Sequence, residues 1–236
     1  MSALQEFRDL LLGAMVIAGC SEQNDPTASR ALPPASFAAV VSPLTSVVTD
    51  PVGDLQNKGS DYQDIIRAEI AKQGTNFAFV LTLVAPVPDS PALPAGADVL
   101  VWQFLLDTDP TASPAGYPFT KNTAFPSEFM IQYRVYRSGF TDPLDPTSSP
   151  GVLVDRRPLL TGGQAILTPI KVSIDGTQIS FVASAGLLGD PSNFRWVSCS
   201  CYAKAGDDAK NGYSNHFPFD LAPDVNLGAP LATWPQ

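Results

Sequence analysis

The chain has 236 residues, 44% of them hydrophobic and only 16% charged, with a net charge of −9 at neutral pH. Without a basic stripe it cannot displace counterions from phosphates, which argues against nucleic acid as a partner. Its 23 prolines and 17 glycines favour strands joined by turns over surface helices.

The N-terminus comes first. Leu10 to Gly19 is a ten-residue apolar run ending in Ala18-Gly19-Cys20. It has the length of a signal-peptide core and is too short to span a bilayer as a helix. Small residues directly before a cysteine resemble the lipobox of bacterial lipoproteins, which implies cleavage before Cys20, lipidation of that cysteine, and an exported chain held in the envelope membrane by its lipid anchor alone. Glu6 and Asp9 beside Arg8 depart from the usual basic leader, and a short amphipathic helix with Cys20 as an ordinary thiol is the alternative. Residues 20–36, rich in Ser, Pro, Ala and Asn, read as a flexible tether. Loss of residues 1–19 leaves 13 basic and 21 acidic side chains, net −8. Residues 37–236 are enough for one domain with a substantial core.

Strand signals then recur. Residues 64–71 alternate Ile66, Ala68 and Ile70 against Arg67 and Glu69, which predicts a half-buried strand. The turn Gly74-Thr75-Asn76 leads into a deeper strand at 77–84. Residues 99–106 are continuously apolar, with Trp102 grouped with Leu100, Phe104 and Leu106 in the core, and end at Asp107-Thr108-Asp109-Pro110. Residues 128–137 alternate, placing Phe129, Ile131, Tyr133 and Val135 on one face and Gln132, Arg134 and Tyr136 on the other. Asp175-Gly176 marks a hairpin between strands at 170–174 and 178–183, because glycine accepts the positive φ that such turns need. Residues 183–188 suit a short helical turn, and 194–204 a further strand with Val197, Cys199 and Cys201 facing the core and Trp196, Ser198, Ser200 and Tyr202 facing away. The expected fold is all-β, an antiparallel two-sheet β-sandwich of jelly-roll type.

Ordered motifs span Asp50 to Asp224: Asp50-Pro51-Val52-Gly53-Asp54, Tyr62-Gln63-Asp64-Ile65, Leu106-Asp107-Thr108-Asp109-Pro110, the Asp175-Gly176 hairpin, Leu187-Leu188-Gly189, and Asp220-Leu221-Ala222-Pro223-Asp224. Their order resembles secreted β-sandwich domains related to family 9 carbohydrate-binding modules and DOMON-type ligand-binding domains. The resemblance implies a module that binds sugar, haem or structural calcium; fold analogy alone does not name the ligand.

Calcium takes several carboxylate and carbonyl oxygens, so Asp50 and Asp54 on one turn and Asp107 and Asp109 on another are candidate ligands, with Asp61 or Asp64 completing the set. The alternative is that all are turn formers accepting backbone hydrogen bonds. Gln132, Arg134, Tyr136, Trp196 and Tyr202 are candidates for binding carbohydrate or another cell-surface polymer, by ring stacking and hydrogen bonds to hydroxyls; coverage of the same face by the long loops is the competing reading. Cys199 and Cys201, two apart on a strand, read as buried thiols, being near the limit of a bridgeable separation. His216, the only histidine, reads as a loop or packing residue. No Gly-x-Ser-x-Gly elbow, His-Glu-x-x-His helix or phosphate loop occurs, so the expectation is a non-catalytic module. A structural or adhesive surface protein is the alternative, and a glycoside hydrolase, needing only two placed carboxylates, a distant third.

Overall fold

The computed structural model describes residues 44–56, 59–112, 117–120, 123–142, 145, 149–204 and 216–236. The signal, Cys20 and the tether lie outside them. Two antiparallel sheets pack face to face as a β-sandwich. The first has the order β1-β2-β3-β11-β10, formed by β1 (Thr45–Thr49), β2 (Ile65–Gln73), β3 (Asn76–Leu83), β11 (Gln178–Ser184) and β10 (Lys171–Asp175). The second has the order β13-β12-β4-β7-β8-β9, formed by β13 (Phe217–Ala222), β12 (Phe194–Ala203), β4 (Val99–Asp107), β7 (Phe129–Tyr136), β8 (Gly151–Asp155) and β9 (Ile166–Pro169). A last strand, β14 (Ala232–Trp234), shares one edge of β12 with β13, and β5 (Tyr117–Thr120) pairs with β6 (Thr123–Phe125) in a separate hairpin. The expected short helical turn is a 3-10 turn at Ala185–Leu188.

The inter-sheet core is aromatic. Phe79 of β3 meets Phe104 of β4 with centroids 5.3 Å apart, and Phe77 stands edge-on to Trp234 at 4.9 Å. Rings that bury 150–250 Å² apiece dominate such a core, and edge-on pairs add about 0.5–1.5 kcal/mol beyond area burial. Trp102, Leu100, Phe104 and Leu106 lie here as expected, and so do Phe129, Ile131, Tyr133 and Val135 of β7.

In β2 the bulge between Ile65 and Arg67 changes the expected alternation. It turns Ile65, not Ile66, into the core with Ala68 and Ile70. In β12 the two faces are exchanged. Trp196 faces the inter-sheet core, where its indole N–H donates to Ser46 Oγ of β1 at 3.0 Å, while Val197, Cys199 and Cys201 face outward. The exchange went unseen because that outward face is itself apolar and covered. Val101, Leu105, Met130, Val152, Val154, Val197 and Leu221 form a second buried layer with Phe125 and Phe140. Every residue of β4 is consequently buried. Alternation cannot assign a strand's inner face when both faces are dry.

Candidate metal centre

The β1–β2 connection begins with a tight turn at Asp50–Asp54 in which Gly53 has φ +85°. Two bonds pin this turn to the start of β2: the Asp50 amide donates to the Ile66 carbonyl at 3.1 Å, and the Gly53 amide donates to Asp64 Oδ2 at 2.7 Å. From the other sheet comes Asp220, near the end of β13. Its Oδ2 accepts the Ile65 amide at 2.6 Å, and its Oδ1 accepts the Leu221 amide at 2.8 Å. Asp224 follows, capping a 3-10 turn at Val225–Leu227. The Gln56 amide, donating to the Phe219 carbonyl at 2.6 Å, closes the contact between the two segments.

The result is a four-carboxylate cluster. One oxygen each from Asp50, Asp54, Asp220 and Asp224 lies within 4.8 Å of all the others. Two oxygens on opposite sides of one calcium ion are themselves about 4.8 Å apart, at about 2.4 Å per bond, so the four fit a single coordination sphere. Asp50 Oδ2, both oxygens of Asp54, and Oδ1 of Asp64, a residue only 2% exposed, are buried and have no hydrogen-bond partner. Unpartnered buried carboxylate oxygens are costly, and a cation is the partner that suits them.

The electrostatics agree. Burial, followed by the charges of Asp220, Asp224 and Asp54, pushes the Asp50 carboxyl up to about 8. Burial, opposed by the Ile65 amide, pushes Asp220 up to about 7, and burial with neighbouring Asp54 pushes Asp224 to about 6. Asp64 is raised as well, chiefly by burial. Like charges in a dry site resist ionising together unless a positive charge joins them.

Of the four metal candidates read from the sequence, the structure brings together Asp50 and Asp54, and it joins them to Asp220 and Asp224 instead of Asp107 and Asp109. The strand register explains this. Along β12, Asp107 stands opposite Arg195 and Asp220 opposite Ser200. Five residues of strand put those points roughly 17 Å apart. Asp107 Oδ2 instead accepts from Arg195 Nε at 2.8 Å and from the same guanidinium's Nη2. Asp109 accepts from the Thr111 amide at 2.9 Å and hydroxyl at 2.6 Å, and the hydroxyl bond holds its carboxyl below the usual range. Glu128, absent from the sequence reading, fixes this turn by accepting from the Thr108 amide at 2.6 Å. Asp61 is exposed, whereas Asp64 sits under the cluster. The sequence reading names Asp220 and Asp224 only as the two ends of the last motif, and nothing along the chain marks them as neighbours of Asp50 and Asp54.

The five expected ligand-binding residues do not form an open platform. Gln132, Arg134 and Trp196 are buried, and Tyr202 is half-buried, stacked on Phe217 at 5.2 Å. Arg134, Tyr136 and Asp142 hydrogen-bond to one another, with the side chains of Arg134 and Asp142 buried. A surface cleft of about 320 Å³ opens elsewhere, between Thr108, Asn193, Arg195, Thr233, Trp234 and Pro235. Asn193, Arg195 and Thr233 are exposed around it, while Trp234 beneath is only 1% exposed and stacked on Phe194 in the core. No protein-family model matches the chain, and no curated protein matches it.

Proposed function

We propose that this chain is a non-catalytic binding module of the cell envelope, a β-sandwich whose two sheets are clasped by calcium, with carbohydrate as its ligand class. The observation that carries the reading is the convergence of Asp50 and Asp54, from the first sheet's leading connection, with Asp220 of β13 in the second sheet and Asp224 just after that strand. An all-oxygen donor set suits a hard cation, and carboxylates at this spacing suit calcium. A cation there joins segments more than 160 residues apart in sequence, so its chemistry is structural: it neutralises the cluster and holds the two sheets in register.

Carbohydrate is one of the ligand classes implied by the resemblance of the ordered motifs to family 9 modules. The cleft beside Arg195 supplies hydrogen-bonding groups that suit sugar hydroxyls, from Thr108, Asn193, Arg195 and Thr233. The test is retention of the full chain on a panel of insoluble polysaccharides in calcium-containing buffer, repeated with Arg195→Ala. Retention on at least one polymer, weakened by the substitution, supports the reading. No retention on any polymer would overturn the carbohydrate assignment and favour an adhesive or structural role.

A further inference from the structure

The outward face of the second sheet holds a buried polar chain that neither the cation cluster nor the cleft uses. It starts at Arg134, whose guanidinium only donates hydrogen bonds. Arg134 Nε donates to Gln132 Oε1 at 2.8 Å, so the Gln132 amide nitrogen must point the other way, and it donates to Gln103 Oε1 at 2.6 Å. With its oxygen so engaged, Gln103 turns its own NH2 toward three neighbours, Cys199 Sγ at 3.1 Å, Cys201 Sγ at 3.2 Å and His216 Nδ1 at 2.9 Å, which share its two hydrogens. The direction of every amide is thus set by one arginine.

Two features of the sulfurs stand out. They are 3.0 Å apart, inside van der Waals contact, with both residues at most 1% exposed. They also face donors: the Gln103 amide presents hydrogen to each, and such donors stabilise negative charge developing on sulfur. His216 Nδ1 lies 3.6 Å from Cys201 Sγ. For a metal ion the same arrangement is wrong, because the centre of the three donors is filled by an amide N–H rather than a lone pair.

We propose that Cys199 and Cys201 are a redox-active dithiol that closes to an intrastrand disulfide by exchange with a small-molecule disulfide. One cysteine sulfur, its proton passed to base, attacks the reagent RSSR, forming a mixed disulfide and releasing one RS⁻. The second sulfur attacks the protein-side sulfur of that mixed disulfide, forming the Cys199–Cys201 bond and expelling the second RS⁻. The balance is two protein thiols and one RSSR giving one protein disulfide and two RSH, with both electrons ending on the released thiols. The sulfurs are already turned toward each other, so closure asks for an approach of about 1 Å between them together with a narrowing of the Cβ separation of two residues on one strand face.

Cleavage after Arg195 and Lys204 yields one peptide, residues 196–204, that carries both cysteines. The experiment uses the full chain with Cys20→Ser, incubated with oxidised glutathione, alkylated in denaturant and digested. The expected result is an unlabelled 196–204 peptide, lighter by about 2 Da than the dithiol form, that takes two labels after reduction. Gln103→Leu, which removes the facing donors, should slow closure about tenfold. Cys199→Ser should stop at a mixed disulfide on Cys201. Two labels on the unreduced peptide after prolonged oxidation would overturn the proposal, and so would uptake of one zinc per chain that protects both thiols.

Discussion

Stripped of divalent cations, the domain should become more stable as the pH falls from 8 to 5, the reverse of ordinary acid denaturation. A carboxyl whose folded pKa is raised binds its proton more tightly in the native state, so it stabilises the fold fully below its unfolded value. That stability is lost as the pH climbs through the folded value. Asp220, raised from 3.8 to about 7, sets the main window, Asp224 contributes up to about 6, and Asp50 extends the window to about 8. At about 1.4 kcal/mol per unit, the Asp220 shift alone is worth about 4 kcal/mol, and about 2 kcal/mol when titration is shared across the cluster. Against a domain stability of about 5–15 kcal/mol this is large. Calcium should act in the opposite sense, binding the ionised cluster at pH 8 and little at pH 5. At a hundred times its dissociation constant it adds about 2.7 kcal/mol, which moves the melting midpoint of a domain this size by about 5–11 °C. The assay is thermal unfolding by circular dichroism from pH 5 to 8, with chelator and with excess calcium. A chelated midpoint that is flat or falls on acidification, together with no calcium shift at pH 8, would refute the reasoning.

The neutral isostere Asp50→Asn should raise the cation-free midpoint at pH 8 and abolish most of the calcium shift, both read in the same melts; a higher midpoint with an unchanged calcium response would place Asp50 outside the site. Trp196→Ala empties a fully buried ring site between the sheets and removes the bond to Ser46, so it should cost about 3–5 kcal/mol by urea unfolding. A loss below 1 kcal/mol would return Trp196 to an exposed face. Arg134→Met leaves Asp142, only 1% exposed, without its guanidinium and should destabilise by about 3–5 kcal/mol, measured the same way.

Fold class was legible in the sequence because β7, β10 and β11 alternate or turn on glycine, and Gly74 and Gly176 take the positive φ that their hairpins need. β13 was not legible. It contains Pro218 and is held by pairing with β12 and by Phe219 in the core, information that resides in a partner strand and not in local pattern. β14, three residues long, was missed for the same reason. Half of the carboxylate cluster was readable from the acidic turn at Asp50–Asp54. Its other half depends on sheet order: β13 lies on the far side of β12 from β4, and no spacing along the chain reveals that. Gln132 and Arg134 misled because a polar face usually means solvent, whereas here the polar side chains satisfy one another under a second layer.

Calorimetric titration of calcium into the cation-free full chain at pH 8 tests the central claim most directly, run beside Asp54→Ala/Asp224→Ala and Asp107→Asn/Asp109→Asn. The account predicts one calcium per chain, lost in the first double variant and retained in the second. No binding to the unsubstituted chain, or binding that survives Asp54→Ala/Asp224→Ala, would contradict it.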